Sequence, residues 1–234
     1  MDHFARLDAD IRQGLSQAFV EAAESRLQWE YSASFDEADR RGVRMPFDHG
    51  DEYGQLLLQR HMGARHHLGS TALRLAAQQV GGTVEQLLLS NGQRKVIALV
   101  GPFCFIAETL TEFPHKPEFA NYKGKLARTY GAIRQLELDL GDGFAVKEDW
   151  SGRHLGVLLH GCIGTSFSRS GTSLSAFRVA FPNAEYDSWV WEADVLSGQL
   201  ADRVGWHDIR KNKPKQVDKV AVSLRALSEA KDKA

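Results

Sequence analysis

TVEQLLLSNGQRKVIALVGPFCFIAE, residues 83–108, is the densest apolar run in the chain, and its reading decides the fold. Asn91-Gly92 accepts positive φ at both central positions of a type I′ turn, so residues 84–90 and 93–100 are expected to pair as a hairpin. Gly101-Pro102 interrupts the second arm. Pro102 has no N–H to give a ladder, which predicts a bulge or a change of neighbour before Phe103-Cys104-Phe105-Ile106-Ala107 resumes as a strand.

Working toward the N-terminus, Leu75, Ala76 and Val80 extend a short helix that Gly81-Gly82 ends, with Gly69-Ser70 read as a break and a new N-cap before it. Tyr53, Leu56, Leu57, Ala64 and Leu68 mark an earlier helix that begins with acids at Asp51. Residues 32–46 crowd charges of both signs around Gly42 and Pro46 and are expected to be a loop. Phe4, Leu7, Ile11, Leu15, Phe19, Ala22 and Leu27 fall at three- and four-residue spacing and predict one amphipathic helix.

Working toward the C-terminus, FPHKPEFANYKGK (113–125) reads as a loop by its prolines and glycine. Leu136, Leu138 and Leu140 then alternate with Glu137 and Asp139, the period of a half-buried strand, and Gly141-Asp142-Gly143 turns the chain. Val157-Leu158-Leu159 predicts a buried strand. Phe177, Val179 and Phe181 form another, Pro182-Asn183 turns, and Trp189, Trp191, Ala193 and Val195 alternate with Val190, Glu192 and Asp194. RKNKPKQVDK (210–219) is a basic linker, and residues 217–230 place Val220, Leu224 and Leu227 on one helical face.

Helices come first and strands follow, joined by hairpin-length connections. That order predicts an α+β fold with N-terminal helices packed on a mainly antiparallel β-sheet. The expected organisation is a single domain over 1–234: helical through 82, mainly β from 83 to 200, then the basic linker and a short C-terminal helix.

A chain of 234 residues buries a core without disulfides or metals. A formal charge of -1 leaves no overall basic footprint, so any contact with nucleic acid is confined to local basic patches. Cys104 and Cys162 sit within apolar runs and are expected to be buried, unpaired thiols of a reducing compartment. The first residues, MDHFARLDADIRQ, carry acids and no continuous apolar core. A soluble cytoplasmic protein without membrane contact is the resulting expectation.

Four constellations bear on chemistry. HGCIGTSFSRSGT (160–172) superficially resembles the phosphate loop of protein tyrosine phosphatases. It departs from that pattern, because Gly161 separates His160 from Cys162 and six residues, not five, lie between Cys162 and Arg169. A Gly/Ser turn is the expected structure. Glu137/Asp139 and Glu192/Asp194 each place two carboxylates on one strand face; were the strands neighbours, four acids could hold Mg²⁺ as a metal-dependent nuclease or phosphohydrolase requires. Separate, solvated strand faces are the expectation, and no cofactor is called for, with Mg²⁺ entering only under that alternative.

His61, His66 and His67 do not share one helical face, read as surface residues, and would make a basic patch at acid pH. Finally, residues 71–95 fit a helix-turn-helix of a DNA-binding protein less well than a helix and hairpin, since Leu87-Leu88-Leu89 leaves little to face a groove. Tyr186, Trp189 and Trp191 gather aromatic surface suited to a core layer or to recognition. The functional expectation is a binding or interaction protein whose ligand or partner the sequence does not identify.

Overall fold

The computed structural model describes residues 3–43, 50–89, 92–110, 116–118, 120–130, 153–162 and 167–206. Three helices come first: α1 His3–Gly14, α2 Gln17–Val43 and α3 Gly50–Gln79. The strands are β1 Thr83–Leu88, β2 Arg94–Val100, β3 Phe103–Thr109, β4 His154–Gly161, β5 Ala176–Pro182 and β6 Trp189–Asp194, with short helices α4 Asn121–Tyr130, α5 Arg169–Thr172 and α6 Gln199–Val204 between and after them. The six strands lie side by side in sequence order. Every neighbouring pair is antiparallel except β3 and β4, which run parallel from Phe103↔His154 to Thr109↔His160. The fold is therefore α+β with N-terminal helices on a mostly antiparallel sheet, with one crossover, carrying α4, that hairpin-length connections alone do not anticipate.

The apolar density of residues 97–107 has a direct cause, because both faces of the central strands are covered. On one face Ala98, Val100, Phe103, Phe105 and Leu158 pack with α1, α2 and α3 through Ile11, Phe19, Leu27, Leu73 and Ala76. On the other, Ile97, Leu99, Cys104, Ile106, Val157 and Leu159 pack with Leu126 and Ala127 of α4. Strand β1 lies at the edge and is half-exposed throughout, which is where its Glu85 and Gln86 fit.

Local chemistry explains several departures from the sequence reading. The N-terminal helix is two helices: a Cβ at Gly14 would collide with Pro102, and Ser16 caps the second helix by accepting from the Phe19 N–H at 3.2 Å. Residues 32–43 are helix, not loop. Buried Ala38, the Phe35–Phe167 stack at 4.8 Å and the Asp36–Arg169 ion pair at 2.5 Å tie that polar stretch to the body of the protein. Helix α3 runs unbroken through Gly69-Ser70, and α4 begins at Asn121, inside the end of the segment read as a loop at 113–125. Since residues 83–88 are a strand, no second helix follows Gly81-Gly82 and the helix-turn-helix is not formed.

The central hairpin forms, with a longer loop than expected. Leu89 N–H donates to the Gln93 carbonyl at 2.8 Å and Gly92 N–H to the Leu89 carbonyl at 2.9 Å, which makes Gly92 the last of three loop positions, at φ +78°. A left-handed residue there is the usual ending of a three-residue hairpin loop. Gly101-Pro102 is itself a hairpin turn, with Val100 opposite Phe103 and Gly101 at φ +55°. Trp189 and Trp191 do not share a face as simple alternation required. A register shift between Phe181 and Pro182 turns Trp189 toward Tyr186 on the α4 side, while Trp191 packs on Phe181 on the helix side. The strand expected at 136–140, the turn at 141–143, the basic linker and the helix at 217–230 lie outside the described residues.

At Gly92 open space surrounds the missing Cβ, so substitution tests backbone strain alone. Gly92→Val is expected to destabilise the protein by about 1–3 kcal/mol and Gly92→Asn by clearly less. Urea unfolding of the two variants checks this, and equal losses would refute a left-handed requirement at 92.

Candidate functional site

Helix α3 presents one stripe to the sheet, read by threes and fours as Leu57, Leu58, His61, Arg65, Gly69, Ala72, Leu73, Ala76 and Ala77, all buried. Three positions in the middle of that apolar stripe break it. His61 and Arg65 are polar, and Gly69 has no side chain. They lie against α2 and the C-terminal ends of the parallel strands β3 and β4, the place where open sheets with parallel strands gather ligands.

The glycine makes room for a histidine. A Cβ at Gly69 would overlap His160 Nε2, so the imidazole at the end of β4 lies directly on the α3 backbone. His160 is 1% exposed, and its Nδ1 lies 2.9 Å from the Tyr31 hydroxyl of α2. Its Nε2 has no hydrogen-bond partner. An unpartnered N–H costs more than an unpartnered lone pair facing a Cα–H, so hydrogen bonding assigns the proton to Nδ1, donated to Tyr31 Oη. The Tyr31 hydroxyl then keeps a hydrogen to donate elsewhere.

His61, also 1% exposed, meets the Ser34 hydroxyl with Nδ1 at 3.0 Å and stands edge-on to the Tyr31 ring at 5.7 Å. Its Nε2 is likewise without a hydrogen-bond partner. Beside both rings lies Arg65, 5% exposed. Its Nε reaches the Met62 carbonyl at 3.3 Å and its Nη1 the Cys162 sulfur at 3.9 Å, and no carboxylate among the described residues pairs with it. Cys162 in turn contacts Met62 Sδ at 3.8 Å. At the rim, His66 Nδ1 lies 3.3 Å from the Thr109 hydroxyl.

Burial and the guanidinium set the protonation of this layer. Burial, with Arg65 and His66 adding to it, pushes His160 down from 6.5 to about 3. His61 is lowered by burial and by Arg65, with the Thr172 backbone acting in the opposite direction. His66 is lowered by burial, then Lys95 and Arg65, against Glu118. Burial raises the Cys162 thiol, opposed by Arg65, and raises the Tyr31 phenol. At neutral pH the layer thus holds neutral imidazoles, a thiol and a phenol around one permanent cation.

A second polar cluster lies on the α4 side. Glu108 Oε1 accepts from the Tyr186 hydroxyl at 2.5 Å and from Lys123 Nζ at 2.7 Å, and Lys123 also reaches the Glu118 carbonyl at 2.8 Å. Tyr186 sits at φ +57°, held there by Asn183, whose side chain accepts from the N–H groups of Asp187 and Ser188. These groups satisfy one another and fasten α4 and the β5–β6 turn to the sheet.

The residues singled out from sequence fall as follows. Glu192 and Asp194 do share a face, where the Arg178 fork holds them at 3.3 and 3.6 Å. Glu137 and Asp139 lie outside the described residues. Tyr186 and Trp191 are buried, and the bulge puts Trp189 and Trp191 on opposite sides, so the three aromatics do not form one surface. Arg169 turns to Asp36 and Phe35, not toward Cys162. Of the histidines expected at the surface, His66 and His67 are exposed and His61 is buried, and burial lowers both His61 and His66 from the ordinary imidazole value. Arg65 and Tyr31 were not foreseen. The stripe Ala77-Leu73-Gly69-Arg65-His61 carried the signal, a cation on the buried face of an amphipathic helix.

Both cysteines are free and buried, with Cys104 pushed up to about 12 by burial. Among the described residues no three His, Cys, Asp or Glu side chains are placed to hold a metal ion, and no helix is long and apolar enough to cross a membrane. No protein-family model, curated protein or solved structure matches the chain. The arrangement gathers one guanidinium and several neutral hydrogen-bonding groups in a layer shielded from water.

Two expectations follow from the protonation pattern. His160 has a lower pKa folded than unfolded, so as pH falls the unfolded chain takes up the proton first. Stability is complete above about 6.5 and declines toward about 3, by ~1.4 kcal/mol per pH unit for this group, with His61 and His66 acting in the same direction. Urea unfolding between pH 7 and 4.5 should show a shallower decline for His160→Gln than for the wild type; parallel declines would rule out the assignment. Thiol labelling should be slow for both cysteines in the native protein and fast in urea, and rapid native labelling of Cys162 would show an accessible nucleophile instead.

Proposed function

We propose that the protein is a binding module for a small anionic ligand, seated where α2 and α3 meet the C-terminal ends of β3 and β4. One observation carries this reading: Arg65 is buried with a backbone carbonyl and a thiol for partners and no carboxylate among the described residues. Taking a guanidinium out of water is costly unless an anion answers it. Neutral side chains in the same layer lower that cost little, so an unanswered cation persists where a ligand supplies the missing charge.

Binding in place of catalysis fits the same chemistry. The thiol and phenol are raised by burial, hence poor nucleophiles, and the acids of β6 are already engaged by Arg178. A cytoplasmic setting suits the free thiols and belongs to this proposal.

If Arg65 is kept for a ligand, the ligand-free protein gains from losing it. Arg65→Met, which retains the apolar stem and removes the charge, is expected to stabilise the dialysed protein by about 1–3 kcal/mol. Chemical denaturation in anion-poor buffer measures it. A loss of stability of similar size would make Arg65 a structural residue and overturn the proposal.

A further inference from the structure

We infer that the ligand is a monocarboxylate with an apolar body, its carboxylate held by the Arg65 guanidinium and the Tyr31 hydroxyl. The inference rests on the binding site proposed above and narrows its ligand class by charge, donor geometry and access.

Charge comes first. Among the described residues Arg65 is the single permanent cation in the layer, and the neighbouring rings of His61 and His160 are buried beside it, where a second positive charge is disfavoured. Lys95 and Glu118 both act on His66 at the rim with opposite signs. One positive charge balances a monoanion. A phosphomonoester dianion would bring an unmatched negative charge into a layer whose described residues hold no second permanent cation to meet it.

Donor geometry agrees. A guanidinium offers parallel N–H groups that fit a planar carboxylate, and the Arg65 head has only the weak, 3.9 Å contact of Nη1 with sulfur to give up. With the His160 proton placed on Nδ1, where the ring donates to the Tyr31 hydroxyl at 2.9 Å, the phenol adds a donor for the ligand. Chloride, which is spherical, would leave this directional arrangement unused.

Access separates a carboxylate from a phosphodiester. A carboxylate ends a molecule and enters a site from one side, whereas a phosphodiester carries an ester arm on each side of its charge. Arg65 is 5% exposed between α3 and the end of β4, which suits a terminal group. Half-buried Met62, beside the guanidinium, is a soft apolar contact for the remainder of the ligand.

The test titrates the full-length protein, in one low-salt buffer at pH 7.5 and matched ionic strength, with sodium acetate, butyrate and hexanoate, and with inorganic phosphate, dimethyl phosphate and chloride. Melting temperature and calorimetric heat are read for the wild type, Arg65→Lys, Arg65→Met and Tyr31→Phe. Saturable stabilisation by the carboxylates, strengthening with chain length, is expected. Arg65→Met should abolish it, and Arg65→Lys and Tyr31→Phe should each weaken it about tenfold.

Arg65-dependent binding that is as tight for phosphate, dimethyl phosphate or chloride overturns the carboxylate assignment and leaves the anion site standing. Silence toward every probe also overturns the carboxylate assignment. The site itself falls only if Arg65→Met is, in addition, less stable than the wild type.

Discussion

Strands β3 and β4 are covered on both faces, by the long helices on one side and α4 on the other, and the rest of the architecture answers to that constraint. A two-sided strand must be apolar at consecutive positions, which is why 103–106 and 155–159 are almost unbroken hydrophobic runs and why the sheet becomes half-polar only toward its edges. Whatever polar group such strands carry is confined to their ends. Glu108, Thr109 and His160 occupy those ends, with Glu108 serving the α4 side and the other two the helix side. The same constraint explains Gly69: the α3 backbone must come within contact of the sheet for the apolar layer to close, and the imidazole occupies the space a side chain would need.

Much of this architecture was legible in the residues. The apolar density of 97–107, the stops at Gly81-Gly82 and Gly101-Pro102, and the segregation of helices from strands were enough for the class and the central hairpin. Where the reading failed, tertiary contact overrode local composition. Residues 32–43 look like a loop until Phe35 finds Phe167 and Asp36 finds Arg169, partners more than a hundred residues away in sequence. Gly69-Ser70 looks like a break until His160 fills the gap. The parallel register of β3 and β4 is invisible because it depends on a crossover, not on either strand's own pattern.

The candidate site was harder to read for a related reason. Histidine pairs, acid-x-acid steps and a Cys…Arg run attract attention as spacings, yet Glu192, Asp194 and Arg169 are engaged by partners that no local spacing reveals. Arg65 belongs to no motif. It is conspicuous only as the charged member of a buried stripe, which becomes visible once the correct face of α3 is known. Leu56, read as part of that face, is 42% exposed.

The parallel seam also bears on how the chain reaches its fold. Strands β1 to β3 form one antiparallel meander closed by short turns, and β4 to β6 another whose first connection carries α5. Joining them requires closure of the long connection across residues 110–153, the costliest loop entropy in the sheet. If the two halves form before the seam closes, the edges of β3 and β4 stand unpaired until it does, open to the same halves of another copy. Exchange of those halves between molecules would build an intertwined dimer from native contacts alone, with the seam as its crossing point.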